Sequence, residues 1–286
     1  MLAITERNLK LYFRNRASVL FSLMSALIVL GLYLVFLKNG MQKNWSNLPD
    51  AIQLLDPWLI GGMMSVTATT ASLNAIEQLV RDRQGHQLQD FLVTPTKSAW
   101  IQLGYFLSAV LIAVIMQLAV LLVAAGYFGF ADKIQIRLRT LPALIAIIFL
   151  NGLCATALNL AIISCVKKVT TLSIIGSIVG TASGFLAGIY IPIGTLPAFA
   201  QNLIKLYPGA YSASLFRRIL MQPQIVVSFR HVKEGQLALF KKMLGIGYQW
   251  ESMTTFTQEF IVLAAVTVIA LVLVLAKNRW VNSRQA

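Results

Sequence analysis

Two histidines, two cysteines and ten acidic residues are all that the 286-residue sequence offers for acid–base, nucleophilic or metal chemistry. They do not converge. His86 and His231 fall in polar stretches assigned below to opposite membrane faces, so no Ser-His-Asp or Cys-His set forms in one compartment. Cys154 and Cys165 stand eleven positions apart in one apolar run, without metal-like spacing, and read as small packing residues. No GxxxxGK[ST] phosphate loop occurs, so the chain does not itself cradle ATP in that way. No acidic residue falls near the middle of an apolar run; Glu77 and Glu259 sit at run ends, which argues against an ion relay.

The charged groups concentrate instead in residues 81–97, RDRQGHQLQDFLVTPTK. Leu88, Phe91 and Leu92 recur at helical spacing with Gln87, Gln89 and Asp90 between them, and Thr94-Pro95 stops the helix. A polar helix and turn of this kind lies on a membrane face. It fits either a docking surface for a soluble partner or an ordinary solvated loop.

What flanks that stretch fixes the class. Mean hydropathy is +0.73 and only 12% of residues are charged, outside the range of soluble globular domains. Six apolar runs, at residues 17–37, 58–76, 101–128, 141–166, 170–191 and 260–276, are each long enough to cross ~30 Å of hydrocarbon. The first lacks a small-residue cleavage pattern and is no removable signal. The expectation is an all-α integral membrane protein with six transmembrane helices. The net charge of +14 brackets these spans without forming one basic domain, which excludes nucleic acid as the partner. Arg7, Lys10, Arg14, Arg16, Arg81, Arg83, Lys97, Lys167, Lys168, Lys277, Arg279 and Arg284 fall on one side when both termini are cytoplasmic. The short opposite loops hold fewer, with the 133–139 loop the most basic of them, and that orientation is the expected one.

Residues 1–16 read as an interfacial helix, with Leu2, Leu9, Tyr12 and Phe13 on one side and Glu6, Lys10 and Arg14 on another. Residues 39–56 form an outer loop. The second span carries Ser65, Thr67, Thr69, Thr70 and Ser72, a density that fits close helix packing or a water-accessible path. In the fifth, Gly176, Gly180, Gly184 and Gly188 recur every fourth residue beside Ser173, Ser177 and Thr181, a pattern for close approach of another helix. Prolines and glycines break residues 192–221 into pieces too short to span, suggesting a re-entrant or interfacial outer hairpin. Residues 222–258 read as an extracellular extension, with a helix near 234–244, ahead of the last span within 259–276.

The whole chain resembles the membrane subunits of ABC-2 type exporters, which include daunorubicin-resistance-like drug exporters and polysaccharide or teichoic-acid exporters. Two motifs carry the likeness. Residues 81–109 are similar to the family's charged stretch ending in Leu-Leu-x-Thr-Pro, matched here by Phe91-Leu92-Val93-Thr94-Pro95. Leu196-Pro197, Tyr207-Pro208 and Arg217 or Arg218 match its outer segment. Where the family often has Gly-Thr-Leu-Glu, this chain reads His86-Gln87-Leu88-Gln89, which leaves Asp90 to supply any acidic contact.

The resemblance implies a single ABC-2 membrane domain that forms a homodimer in a bacterial plasma membrane. It binds no cofactor itself and works with two copies of a separate ATPase, which supply ATP and Mg²⁺. Arg81, Asp82, Arg83, His86, Gln89, Asp90, Thr94 and Pro95 would couple to that ATPase. Ser65, Thr67, Thr69, Thr70, Ser177, Gly180, Thr181 and Gly184 would line the substrate path, with Pro192, Pro197, Tyr207 and Pro208 at the outer gate. An amphipathic drug, peptide, lipid or lipid-linked glycan would leave the cytoplasm. The alternative is a non-transporting sensor or immunity protein that binds a toxin or peptide through residues 222–258.

Overall fold

The computed structural model describes residues 1–45, 51–92, 98–134, 136–164, 166–230, 234–250 and 252–282. Among these residues the chain is helical with no strand. Helix α1 (Leu2–Arg14) lies ahead of α2 (Arg16–Leu32), which passes through a π turn (Tyr33–Leu37) into α3 (Lys38–Asn44). Then come α4 (Ala51–Gln84), α5 (Gln87–Leu92), α6 (Ser98–Ala131), α7 (Leu141–Ile163) and α8 (Val169–Leu186). Short α9 (Ala198–Leu206) leads to α10 (Pro208–Ser228), α11 (Glu234–Leu244) and α12 (Phe256–Asn282). Six stretches are long and apolar enough to cross a membrane: Arg16–Lys43, Ala51–Gln84, Ser98–Ala131, Leu138–Ile163, Val169–Leu186 and Phe256–Ala276.

Helix α4 is the axis of the bundle. It is the least apolar of the six, yet 89% of its most apolar 18 residues are buried, against 17% for the 18 of α8. Its small residues explain this: Gly61, Gly62, Ser65, Ala68, Ala71 and Ser72 let neighbouring helices approach on every side. The outward faces of α2, α6, α8 and α12 instead expose Phe21, Leu122, Ile174 and Leu273, as lipid contact requires. Two apolar clusters flank the two ends of α4. One gathers Tyr33, Leu54, Trp58, Phe128, Phe216 and Phe240; the other gathers Tyr12, Ile76, Val80, Ile101, Tyr105 and Ile163.

Several boundaries differ from the sequence expectation. The second span runs from Ala51 to Gln84, not 58–76, because the charges at its ends have partners within the protein. The loop expected at 39–56 gives way to helix up to Asn44 and again from Ala51. The fifth span ends at Leu186, short of residue 191: Gly188 takes φ +64° and the Tyr190 ring folds back against Gly184. Residues 192–221 are not all short pieces. Helix α10 continues past Met221 to Ser228, about 31 Å at 1.5 Å per residue. Helix α11 lies where a helix was expected.

Candidate functional site

At one end of the bundle, α1 is bolted across α4 and α6. Thr5 Oγ1 donates to the Gly104 carbonyl at 3.2 Å and Asn8 Nδ2 to Ser108 Oγ at 3.3 Å. Gly104 is needed here, since a Cβ would stand 3.0 Å from Ile4. Asp82 is the hub. Its Oδ1 accepts from Arg7 Nη2 at 3.0 Å and Gln78 Nε2 at 2.6 Å; its Oδ2 accepts from Arg7 Nη1 at 2.7 Å and from the Tyr105 hydroxyl. A buried carboxylate requires such satisfaction, and the two-pronged guanidinium contact fixes orientation as well. The Arg7 guanidinium also lies over the Phe91 ring, 5.3 Å from its centre, which joins α5 to the same assembly.

The residues expected to couple to an ATPase therefore divide. Arg81, Asp82 and Arg83 are the last turn of α4 and not part of a separate surface helix. Asp82 points inward and is fully buried. Arg83 Nη1 donates to the Val166 carbonyl at 3.0 Å, and Gln84 Oε1 accepts from the Val169 amide at 2.9 Å, so the end of α4 also holds the α7–α8 turn. Arg81, His86, Gln89 and Asp90 are exposed, with Arg81 paired to Glu77 one turn back. His86 takes φ +63° in the tight turn between α4 and α5. On α5, Leu88 and Phe91 pack on the bundle and Gln87, Gln89 and Asp90 face out, as the amphipathic pattern predicts. Thr94 and Pro95 lie outside the described residues.

The hydroxyls of α4 serve packing first. Ser65 Oγ donates to the Gly209 carbonyl at 2.6 Å and Thr67 Oγ1 to that of Met63 at 2.7 Å, both fully buried. Thr69 meets the Tyr207 hydroxyl at 3.2 Å and Thr70 donates to the Val66 carbonyl. From α7, Asn159 Nδ2 bonds the Thr69 carbonyl and Ser72 Oγ. Helix α8 crosses α4 where Gly176 and Gly180 face Leu73 and Thr70. Its Ser177 and Thr181 bond back to their own helix and remain exposed, while Gly184 is buried beneath Tyr190.

Thr69, Tyr207 and Pro208, assigned from sequence to two different sites, line one cavity of about 280 Å³ between α4, α7, α8 and α10. Its walls are mostly apolar, with Asn159 and Ser183 among its polar points. Ser212 also lines it, and its buried Oγ has no hydrogen-bond partner among the described residues. The geometry suits an apolar body carrying one hydrogen-bonding group.

At the opposite end of α4 from Asp82, Arg217 is the keystone. It is fully buried, stacks 4.9 Å from the Trp58 ring centre, and donates to the carbonyls of Trp58, Leu244, Ala187 and Gly188. One side chain thus ties α4, the C-terminal end of α8 and the end of α11 to α10. Arg218 instead pairs with buried Glu259, which also accepts from Ser214 and Thr254. Pro192 opens the turn after α8, Pro197 precedes α9, and Tyr207-Pro208 starts α10, so each expected gate residue marks a chain break.

Sequence reading missed a third cluster. Lys38 Nζ lies 2.6 Å from Asp132 and 3.5 Å from Asp56, and the Tyr33 hydroxyl donates to Asp56 at 2.6 Å. These residues come from three spans, so no local motif announces them; the only signal was a charge at three span ends. Among the described residues no group of His, Cys, Asp and Glu could hold a metal.

Six membrane-length helices around a buried polar axis, with a packed polar end and a small cavity at depth, define a multi-pass membrane protein. The sequence matches the ABC-2 type transporter family over residues 1–221, and the chain belongs to that family. It is a permease subunit of an ABC-type transporter, a kind of membrane subunit that is not itself catalytic and partners an ABC ATPase. No curated protein matches the sequence.

Proposed function

We propose that the chain is the membrane half of an ATP-driven exporter that moves an amphipathic substrate out of a bacterial cytoplasm. It works as a homodimer with two ATPase copies, which bring ATP and Mg²⁺, and both termini are cytoplasmic. The observation that carries this reading is the Asp82 hub. It joins the interfacial helix, the end of the axial helix and the exposed helix α5 into one unit, so force applied at His86–Asp90 enters α4 directly. The other end of α4 is held by Arg217 to the segment containing Pro192, Pro197, Tyr207 and Pro208. That segment is the outer gate, a re-entrant hairpin whose position follows the axial helix.

The cavity at Thr69, Tyr207 and Ser212 receives the apolar part of the substrate. The exposed Ser173–Ser177–Thr181 ridge of α8 faces the second permease copy or the path between copies, because its small side chains, bonded back to their own helix, let another helix approach closely. Co-purification with an ABC ATPase, followed by substrate-stimulated ATP hydrolysis in vesicles, tests the proposal. Cross-linking from residue 89 or 90 to the ATPase is expected. Labelling of residue 86 from the cell exterior, or transport by the chain alone, overturns it.

A further inference from the structure

Helix α9, AFAQNLIKL, is amphipathic in an unusual setting. Phe199, Leu203 and Leu206 follow at i, i+4 and i+7 and are exposed, Phe199 and Leu206 by 75% and 73%. Helix α9 follows the turn after α8 on the end of the bundle opposite α5, and its C-terminal end leads to Tyr207, whose hydroxyl meets Thr69 of α4 at 3.2 Å. An apolar face left open beside membrane-spanning helices meets lipid.

Beside it, two cavities of about 250 and 450 Å³ adjoin and share Asn202, Lys205 and Trp250. The first is polar, with Gln201, Lys242 and Gln249 in its wall; the second is walled by Phe199, Leu203 and Leu206. The Lys205 ammonium lies 5.2 Å from the centre of the Trp250 ring and donates to Asn202 Oδ1 at 3.2 Å. Among the described residues no acidic side chain lines either cavity, and Lys205 and Lys242 both line the polar one.

We infer that this double hollow holds an acidic phospholipid of the adjacent leaflet. Its phosphate sits between Lys205 and Lys242, and an acyl chain lies along Phe199, Leu203 and Leu206. The charge supplies the preference for an anionic headgroup and the apolar half restricts the occupant to a molecule with a tail. Trp250, 58% exposed, occupies the boundary between the two halves, as an indole does at a membrane surface. This site lies apart from the ATPase-facing end and does not depend on the transport reading.

Native mass spectrometry tests it on the full chain extracted from vesicles of equal phosphatidylglycerol and phosphatidylcholine. Retention of phosphatidylglycerol over phosphatidylcholine is expected. The double change Lys205→Ala with Lys242→Ala lowers that preference roughly tenfold, and Lys205→Arg with Lys242→Arg keeps it. Phe199→Gln with Leu206→Gln weakens lipid retention although both lysines remain. Equal retention of the two lipids, or an unchanged preference in the alanine pair, overturns the inference. Displacement of the lipid by inorganic phosphate at matched concentration also overturns it, since the occupant would then be a free anion.

Discussion

Replacing Asp82 by asparagine isolates the contact on which the coupling argument stands. The substitution keeps shape and one acceptor oxygen, but turns the other oxygen into an amide donor facing two existing donors. Each carboxylate oxygen accepts two hydrogen bonds, three of the four donors being Arg7 Nη1, Arg7 Nη2 and Gln78 Nε2 and the fourth the Tyr105 hydroxyl. Bonds to a charged group are worth about 1.5–3 kcal/mol each, and two are lost or reversed. Arg7 is 31% exposed, so water recovers part of its share. The net expected loss is about 3 kcal/mol, or roughly 6–12 °C in apparent melting temperature for a chain of this size. A thermal melt of Asp82→Asn, Arg7→Gln and the double variant measures it, and the pair should couple by about 1–3 kcal/mol. In the assembled transporter the same change lowers transport per ATP hydrolysed more than ATP hydrolysis itself. Arg81→Gln is the control for the melt alone, because its pairing with Glu77 is exposed and worth less than about 1 kcal/mol. If Asp82→Asn melts with the wild type and transport stays coupled, the hub is decorative and the reasoning fails.

Arg217→Met leaves four carbonyl acceptors without their donor in a buried place and is expected to cost about 3 kcal/mol or more, read as loss of monodisperse protein on gel filtration. Gly62→Ala puts a Cβ 2.6 Å from Ile189 Cγ1 and 3.0 Å from Arg217 Nη2, for a loss of about 1–3 kcal/mol by thermal melt; adding Ile189→Ala restores part of it. Gly40→Ala, with open space around the site, is neutral or slightly stabilising in the same melt. Ser212→Ala removes an unpartnered buried hydroxyl, so stability stays level or rises by about 1 kcal/mol, whereas binding of an amphipathic substrate to the cavity weakens.

The spans were legible because hydropathy is a property of each helix by itself, and α2, α6, α7 and α12 are strongly apolar overall. Their limits were less so, because a helix end is set by partners. Asp56 looked like a loop residue until Tyr33 and Lys38, from another span, satisfied it. Asp82 looked like a surface charge, and its partner Arg7 lies 75 positions away. The glycine repeat in α8 read as four equivalent contact points. In the structure Gly176 and Gly180 meet α4, Gly184 accommodates Tyr190, and Gly188 ends the helix at positive φ. Spacing alone does not separate a packing glycine from a terminating one.

The axial helix links these particulars. Its 34 residues extend about 50 Å, and its polar side chains mostly bond carbonyls on itself or on a neighbouring helix. Bonds to neighbours, Ser65 to the Gly209 carbonyl and Asn159 to the Thr69 carbonyl, hold this helix against α10 and α7, while Pro57 and Gly61-Gly62 near its start are where it can bend. In the exporter reading proposed above, displacement at Asp82 travels along this helix toward Trp58 and Arg217. There the guanidinium grips α8 and α11 through carbonyls alone, contacts that restrain direction less than a paired carboxylate does. In that reading force enters at the exposed α5 surface and opens the proline-broken segment at the other end of α4.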